Sequence, residues 1–182
     1  MQLESIWQYP VKTMIGGLVL SAELDEIGIV GDRTWAVRDE EAGAIANTRK
    51  RLDTDRLLDR VTLQVGRHEH MHEVLPDSLR HEIRVFMFNL GYLPGGDKAF
   101  TTRAESTVQA LKTALRWLAP GGFISILAYR GHEGGPEEAG AVEAWLRALP
   151  AEEYELLRCD VPNAPDHAPV LYLVRKKKSK GL

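Results

Sequence analysis

Residues 84–98 read Arg-Val-Phe-Met-Phe-Asn-Leu-Gly-Tyr-Leu-Pro-Gly-Gly-Asp-Lys. The apolar run is too short for a helix, and it ends on an amide before breaking into a glycine- and proline-rich loop. A run of this kind, bounded by turn residues, predicts a buried strand over Arg84 to Asn89. In an open α/β sheet, ligands sit in the crevice beyond the carboxyl ends of the strands. Asn89 is then expected to face a ligand, with Tyr92 and Lys98 on the loop beside it.

The flanking sequence supplies the rest of such a sheet. Val61 to Val65 predicts a strand, Ser106 to Leu118 a helix with Val108, Leu111, Ala114 and Leu115 on one face, and Pro120-Gly121-Gly122 its stop. Phe123 to Tyr129 reads as a buried strand and Glu137 to Leu149 as an amphipathic helix. Tyr154 to Arg158 and Val170 to Arg175 close as an antiparallel hairpin at the sheet edge. Alternating strands and helices of these lengths imply βαβ units. Residues 1–43 differ: short strands with glycine turns suggest hairpins or a small barrel. The expected fold is therefore α/β, an incomplete Rossmann-like sheet over residues 44–182 behind a β-rich N-terminal segment over 1–43.

A length of 182 residues fits one domain with a small appendage. No apolar run approaches the ~20 residues of a membrane helix, and the N-terminus lacks the order of a signal peptide. The single cysteine, Cys159, forms no internal disulfide. Together these favour a cytoplasmic protein that keeps away from membranes. A net charge of -3 argues against a uniformly basic nucleic-acid binder but leaves local basic patches open.

From about Ala44 onward the chain resembles a bacterial family of class I S-adenosylmethionine-dependent RNA methyltransferases. These are the putative rRNA methylases (the MnmM or YtqB-like group), some of which modify the wobble uridine of tRNA. The resemblance rests on Leu57-Leu58-Asp59-Arg60-Val61-Thr62-Leu63, Phe88 to Lys98, Thr101-Thr102, Ser106-Thr107 and Leu118 to Gly122. It continues through Tyr129-Arg130-Gly131-His132-Glu133-Gly134-Gly135 and Asn163. It implies S-adenosylmethionine as methyl donor and RNA, in particular tRNA, as partner. Methyl transfer to an amine is an in-line displacement that needs alignment and a neutral nucleophile. Asn89 would accept a hydrogen bond from the target nitrogen without taking its proton, and Tyr92 would stack on a base or close the methyl pocket. Asn89-Leu90-Gly91-Tyr92 is analogous to the Asn-Pro-Pro-aromatic motif of amine methyltransferases, which brings Asn89 and Leu90 to the donor as well.

The first forty residues resemble something else. Tyr9-Pro10-Val11-Lys12-Thr13 and Gly31 to Val37 are similar to a fragment of the N-terminal β-barrel domain of MOSC proteins, where Lys12 and Arg33 would approach a molybdenum cofactor. No glycine-rich donor loop is legible before Ala44. Asp39, after Trp35-Ala36-Val37 and before a helical pattern, stands where an acid meets the donor ribose. The chain thus reads as a fusion in which a barrel fragment replaces the donor-binding half.

Other residues carry two readings each. Asn89 with Tyr92 is equally a turn asparagine beside a packing tyrosine when read without the family. Lys98 contacts RNA phosphate or sits in a solvated turn. Tyr129, His132, Gly134 and Gly135 fall on the rim of Asn89, as does Asn163, and are the expected substrate side. His132 either acts as hydrogen-bonding group or base near neutral pH, or orders the glycine loop. Thr102 or Ser106 is expected to cap a helix, and Glu137 and Glu138 to favour a helix N-terminus through its dipole. His68 matches a family histidine near the adenine pocket. With His70 and His72 it also has alternate spacing, but no cysteine partner supports a zinc site, and no metal is expected. Lys176-Lys177-Lys178 with Lys180 reads as a frayed terminus or an RNA-attracting patch. Three functions stay open: a tRNA aminomethyl-uridine methyltransferase, an inactive fusion without a donor site, and a molybdenum-cofactor module. A homodimer would cover the edge that a truncated sheet exposes.

Overall fold

The computed structural model describes residues 6–8, 17–19, 24–25, 28–29, 34–38, 42–54, 56–91 and 102–178. Contacts divide the chain into two units, Met1–Val65 and Gly66–Leu182.

In the first unit, β1 (Ile6–Gln8) pairs antiparallel with β2 (Gly17–Val19), and β3 (Leu24–Asp25) with β4 (Gly28–Ile29). These are the expected hairpins. The last strand departs from them. β5 (Thr34–Arg38) leads through α1 (Ala42–Thr54) to β6 (Val61–Val65), with which it pairs in parallel, Thr34 opposite Val61 and Arg38 opposite Val65. A parallel pair needs a crossover of a dozen or more residues, and α1 provides it. Thr34 to Val37, part of the barrel-like text, therefore forms part of a βαβ unit.

The second unit is an α/β sandwich. After α2 (Met71–Val74) come β7 (Ile83–Asn89), α3 (Ala104–Trp117), β8 (Leu118–Ala128), α4 (Gly135–Arg147), β9 (Tyr154–Cys159) and β10 (Val170–Lys176). The sheet order is β7-β8-β10-β9, with β7 and β8 parallel and β10 antiparallel to both its neighbours. The predicted edge hairpin is the pair β9–β10. In a strand, alternate side chains face opposite ways. Ile124, Ile126 and Ala128 of β8 and Val170, Tyr172 and Val174 of β10 accordingly bury one face. Leu111, Ala114 and Leu115 of α3 and Ala139, Val142 and Leu146 of α4 complete that core.

The α3–β8 junction differs from the sequence reading. The helix stops at Trp117, and β8 begins at Leu118 rather than Phe123. Pro120-Gly121-Gly122 makes an irregularity inside the strand: Ile83 pairs with Leu118, yet Val85 pairs with Phe123. The lysine run is also more engaged than a frayed end. Lys176 Nζ donates to the Leu118 carbonyl at 2.9 Å and the Leu115 carbonyl at 3.4 Å, and Lys177 Nζ to the Ala151 carbonyl at 2.7 Å. Lys176 thus satisfies carbonyls that the end of α3 leaves without helical partners. Lys180 lies outside the described residues.

The described strands form one four-stranded sheet and three two-stranded pairs. Within the first unit β5 and β6 have the parallel direction and helical crossover of consecutive strands of a doubly wound sheet, and within the second unit so do β7 and β8. No described helix is long and apolar enough to cross a membrane.

Candidate functional site

Asn89 ends β7, opposite Leu127 of β8, and its side chain is exposed with no hydrogen-bond partner among the described residues. Leu90 turns the other way. Its side chain is 3% exposed in the core and its amide donates to the Leu127 carbonyl at 2.9 Å. A ligand would meet Leu90 through backbone alone. Tyr92, Lys98 and Asp39 lie outside the described residues, as do Lys12 and Arg33.

Gly91 begins the rim. Its φ is +116°, a region that L side chains avoid. A β-carbon there would lie 3.2 Å from His132 Nε2 and 3.7 Å from Tyr129 Cβ. The loop after β8 therefore packs directly on the strand end that carries Asn89. Within that loop the His132 Nδ1 lies 2.9 Å from the Glu133 carbonyl, which fits an Nδ1–H donor, and its Nε2 is buried. The ring lies against Gly91 and Gly135 with its Nε2 turned away from solvent.

Gly134 and Gly135 have backbone duties. Gly134 caps α4 with φ +77°, and a β-carbon on Gly135 would lie 2.7 Å from the Tyr129 carbonyl. The 160–169 loop reaches the same rim, because β10 starts opposite the end of β8 at Ala128. Arg130 Nε donates to the Ala168 carbonyl at 2.9 Å and Gly131 approaches His167. Asn163 is exposed in this loop, in the turn closed by the Ala164 amide on the Val161 carbonyl. The structure thus brings Asn89, Tyr129, His132, Gly134, Gly135 and the Asn163 loop to one end of the sheet.

A buried polar chain joins this rim to His68, and the sequence reading missed it. Thr102 does not cap α3: the N-cap is Arg103, without a side-chain cap. Ser106 does not cap either, since its hydroxyl donates to the Arg103 carbonyl at 3.0 Å. Instead, Thr102 Oγ1 accepts the Gly91 amide at 2.7 Å and donates to Glu138 Oε2 at 2.8 Å. Thr107 donates to Glu138 Oε1 at 2.5 Å, and its oxygen lies 3.5 Å from His68 Nε2. Glu138, expected to act through the helix dipole, is 1% exposed and holds both threonines. The readable signal was Thr107, which shares the core-facing stripe of Ala110, Leu111 and Ala114, where a hydroxyl needs a partner.

His70 and His72 do not join His68. Both are exposed, and His70 Nδ1 pairs with Glu73 at 2.9 Å. Among the described residues no group of three His, Cys, Asp or Glu side chains could hold a metal ion.

Comparison with known proteins bears on what this rim serves. The Putative rRNA methylase family matches residues 37–175. A tRNA (mnm(5)s(2)U34)-methyltransferase, chloroplastic, of Arabidopsis thaliana is 43% identical over 112 residues. That stretch is 62% of this chain but only 40% of the plant protein. A putative rRNA-methylase from Clostridium thermocellum superposes with a TM-score of 0.73 at 35% identity, over 79% of this chain and 75% of that one. A putative methyltransferase from Streptococcus mutans, solved in complex with SAH, gives 0.68 at 26% identity, over 78% and 74%.

Proposed function

Because the chain belongs to the Putative rRNA methylase family, we propose that it is an S-adenosylmethionine-dependent methyltransferase acting on an RNA amine. The acceptor is the aminomethyl group of a tRNA wobble uridine. The observation that carries the reading is Asn89: an exposed amide at the carboxyl end of a parallel strand, on a rim shared with the His132 and Asn163 loops. The identity to the plant tRNA methyltransferase supports the choice of acceptor.

The residues present fit the donor in part. Its ribose calls for an acid after the second strand, and the interval between β5 and α1 carries Asp39 in sequence. His68 stands on the adenine side, joined to the rim through Thr107. The donor's tail calls for a glycine-rich turn after a first strand, and neither the sequence nor the described strands offer one. In the proposal the hairpins before β5 stand in place of that element, and the methyltransferase-like part follows from β5 onward.

When bound, S-adenosylmethionine supplies a methyl group activated on a sulfonium. The chain's own residues then align the acceptor. Asn89 accepts a hydrogen bond from the target amine and holds its lone pair in line, while the proton released on transfer passes to solvent. Tyr92 stacks on the uridine, a base already accessible in an anticodon loop. Lys98 meets backbone phosphate, and Tyr129, Gly134, Gly135 and Asn163 line the acceptor side. His132 keeps that loop in shape.

The test is transfer of labelled methyl from S-adenosylmethionine to tRNA carrying an aminomethyl wobble uridine. We expect label in the tRNA and a loss of about 100-fold in kcat/KM for Asn89→Ala. Donor binding without transfer to that tRNA overturns the acceptor. No donor binding in calorimetry overturns the methyltransferase and leaves an inactive fusion.

A further inference from the structure

Gly91 and Thr102 form a neck between the end of β7 and the start of α3 with two hydrogen bonds. The Gly91 amide donates to Thr102 Oγ1 at 2.7 Å, and the Thr102 amide donates back to the Gly91 carbonyl at 3.2 Å. The Gly91 amide can only donate, so the Thr102 oxygen accepts there, and the single hydroxyl proton goes to Glu138 Oε2 at 2.8 Å. The order runs Gly91 to Thr102 to Glu138.

Packing gives no reason for an acid at this place. Glu138 is 1% exposed in the first turn of α4, and burying a carboxylate opposes folding unless hydrogen bonds compensate. Two threonine hydroxyls and the N-terminal end of the helix dipole provide that compensation. One of the two hydroxyls, that of Thr102, accepts from Gly91, which lies two residues after Asn89.

We propose that Glu138 is a positioning residue: through Thr102 it fixes Gly91, and so holds Asn89 at the end of β7 in its working geometry. Its effect on turnover rests on the methyltransferase reading above; its effect on the neck does not.

The test uses the full chain with Thr102→Val, which keeps the shape and removes the hydroxyl, and Thr102→Ser, which restores it. Glu138→Gln is the third variant, since its amide must turn a donor toward one threonine. Exchange of the Gly91 amide is followed by NMR, and kcat and KM by methyl transfer to tRNA. Thr102→Val and Glu138→Gln are expected to speed Gly91 exchange by about tenfold or more. They are expected to lower kcat by roughly 10–100-fold, with donor affinity within about twofold and Thr102→Ser near wild type. Unchanged exchange in Thr102→Val overturns the proposal, and so does faster exchange with unchanged kcat. If the wild type methylates nothing, the methyltransferase reading fails, and the exchange result alone decides the neck.

Discussion

At Gly135 an added methyl group would lie 2.7 Å from the Tyr129 carbonyl and 3.1 Å from His132 Nε2. Neither can retreat easily, because the first is backbone and the second is wedged against Gly91. Gly135→Ala should cost about 1–3 kcal/mol through overpacking. Gly134→Ala meets nothing within 4 Å but inherits φ +77°, so its cost of about 1–2 kcal/mol is conformational. Gly140 lies within α4 with open space around it, and Gly140→Ala should stabilise by about 1 kcal/mol. Urea unfolding of the three variants checks the order. A Gly135→Ala protein as stable as wild type would mean the rim is looser than its distances say.

At the scale of elements, α4 is tied to the sheet by one carboxylate. Glu143 accepts from Arg147 at 2.6 Å, from Arg158 at 3.0 Å and from the Tyr172 hydroxyl at 2.9 Å. The hydrogen bond from Arg147, then that from Tyr172, holds the Glu143 carboxyl below its ordinary range. Burial first, then the hydrogen bond to Glu143, pushes the Tyr172 phenol up to about 12. Linkage fixes the signs. A lowered carboxylate contributes stability above its unfolded value, lost as pH falls through the folded one. A raised phenol contributes stability below about 10, its unfolded value, lost as pH climbs toward about 12. Thermal melts across pH should therefore fall at both ends. Tyr172→Phe should flatten the alkaline limb between about pH 10 and 12, and Glu143→Gln the acid one. Limbs that persist unchanged in these variants would assign the pH dependence to other groups.

The whole molecule offers a test of donor binding that needs no RNA. A ligand held by the folded state alone stabilises it by about 2.7 kcal/mol at a hundred times its dissociation constant. For a chain of this length that raises Tm by roughly 5–10 °C. S-adenosylmethionine should produce such a shift, and Asp39→Ala should diminish it. A Tm that ignores the donor at millimolar concentration would place the chain among folded relatives that have lost it. The measurement is decisive, because the glycine-rich turn that holds the donor in a doubly wound sheet is not legible in the sequence.

Much of this protein was legible in one dimension. Apolar runs of five to seven residues bounded by glycine and proline declared β6, β7, β8 and β10, and the 3.6-residue stripe from Leu111 to Leu115 declared α3, because burial imposes a period on each element. Asn89 announced itself by ending such a run. Two kinds of fact needed the tertiary structure. Strand pairing is one: the text from Thr34 to Val37 reads the same in a hairpin or a parallel pair, and only its partner, β6, distinguishes them. Polar partnership is the other. Thr102 and Glu138 read in sequence as ordinary cap and dipole residues and Thr107 as one position on a helix face, separated by up to 36 positions. Folding buries them together, and a buried hydroxyl or carboxylate must find its hydrogen bond wherever the chain returns. The sequence determined which elements form and which amide ends the strand; the fold alone decided that an acid on α4 holds that strand's end in place.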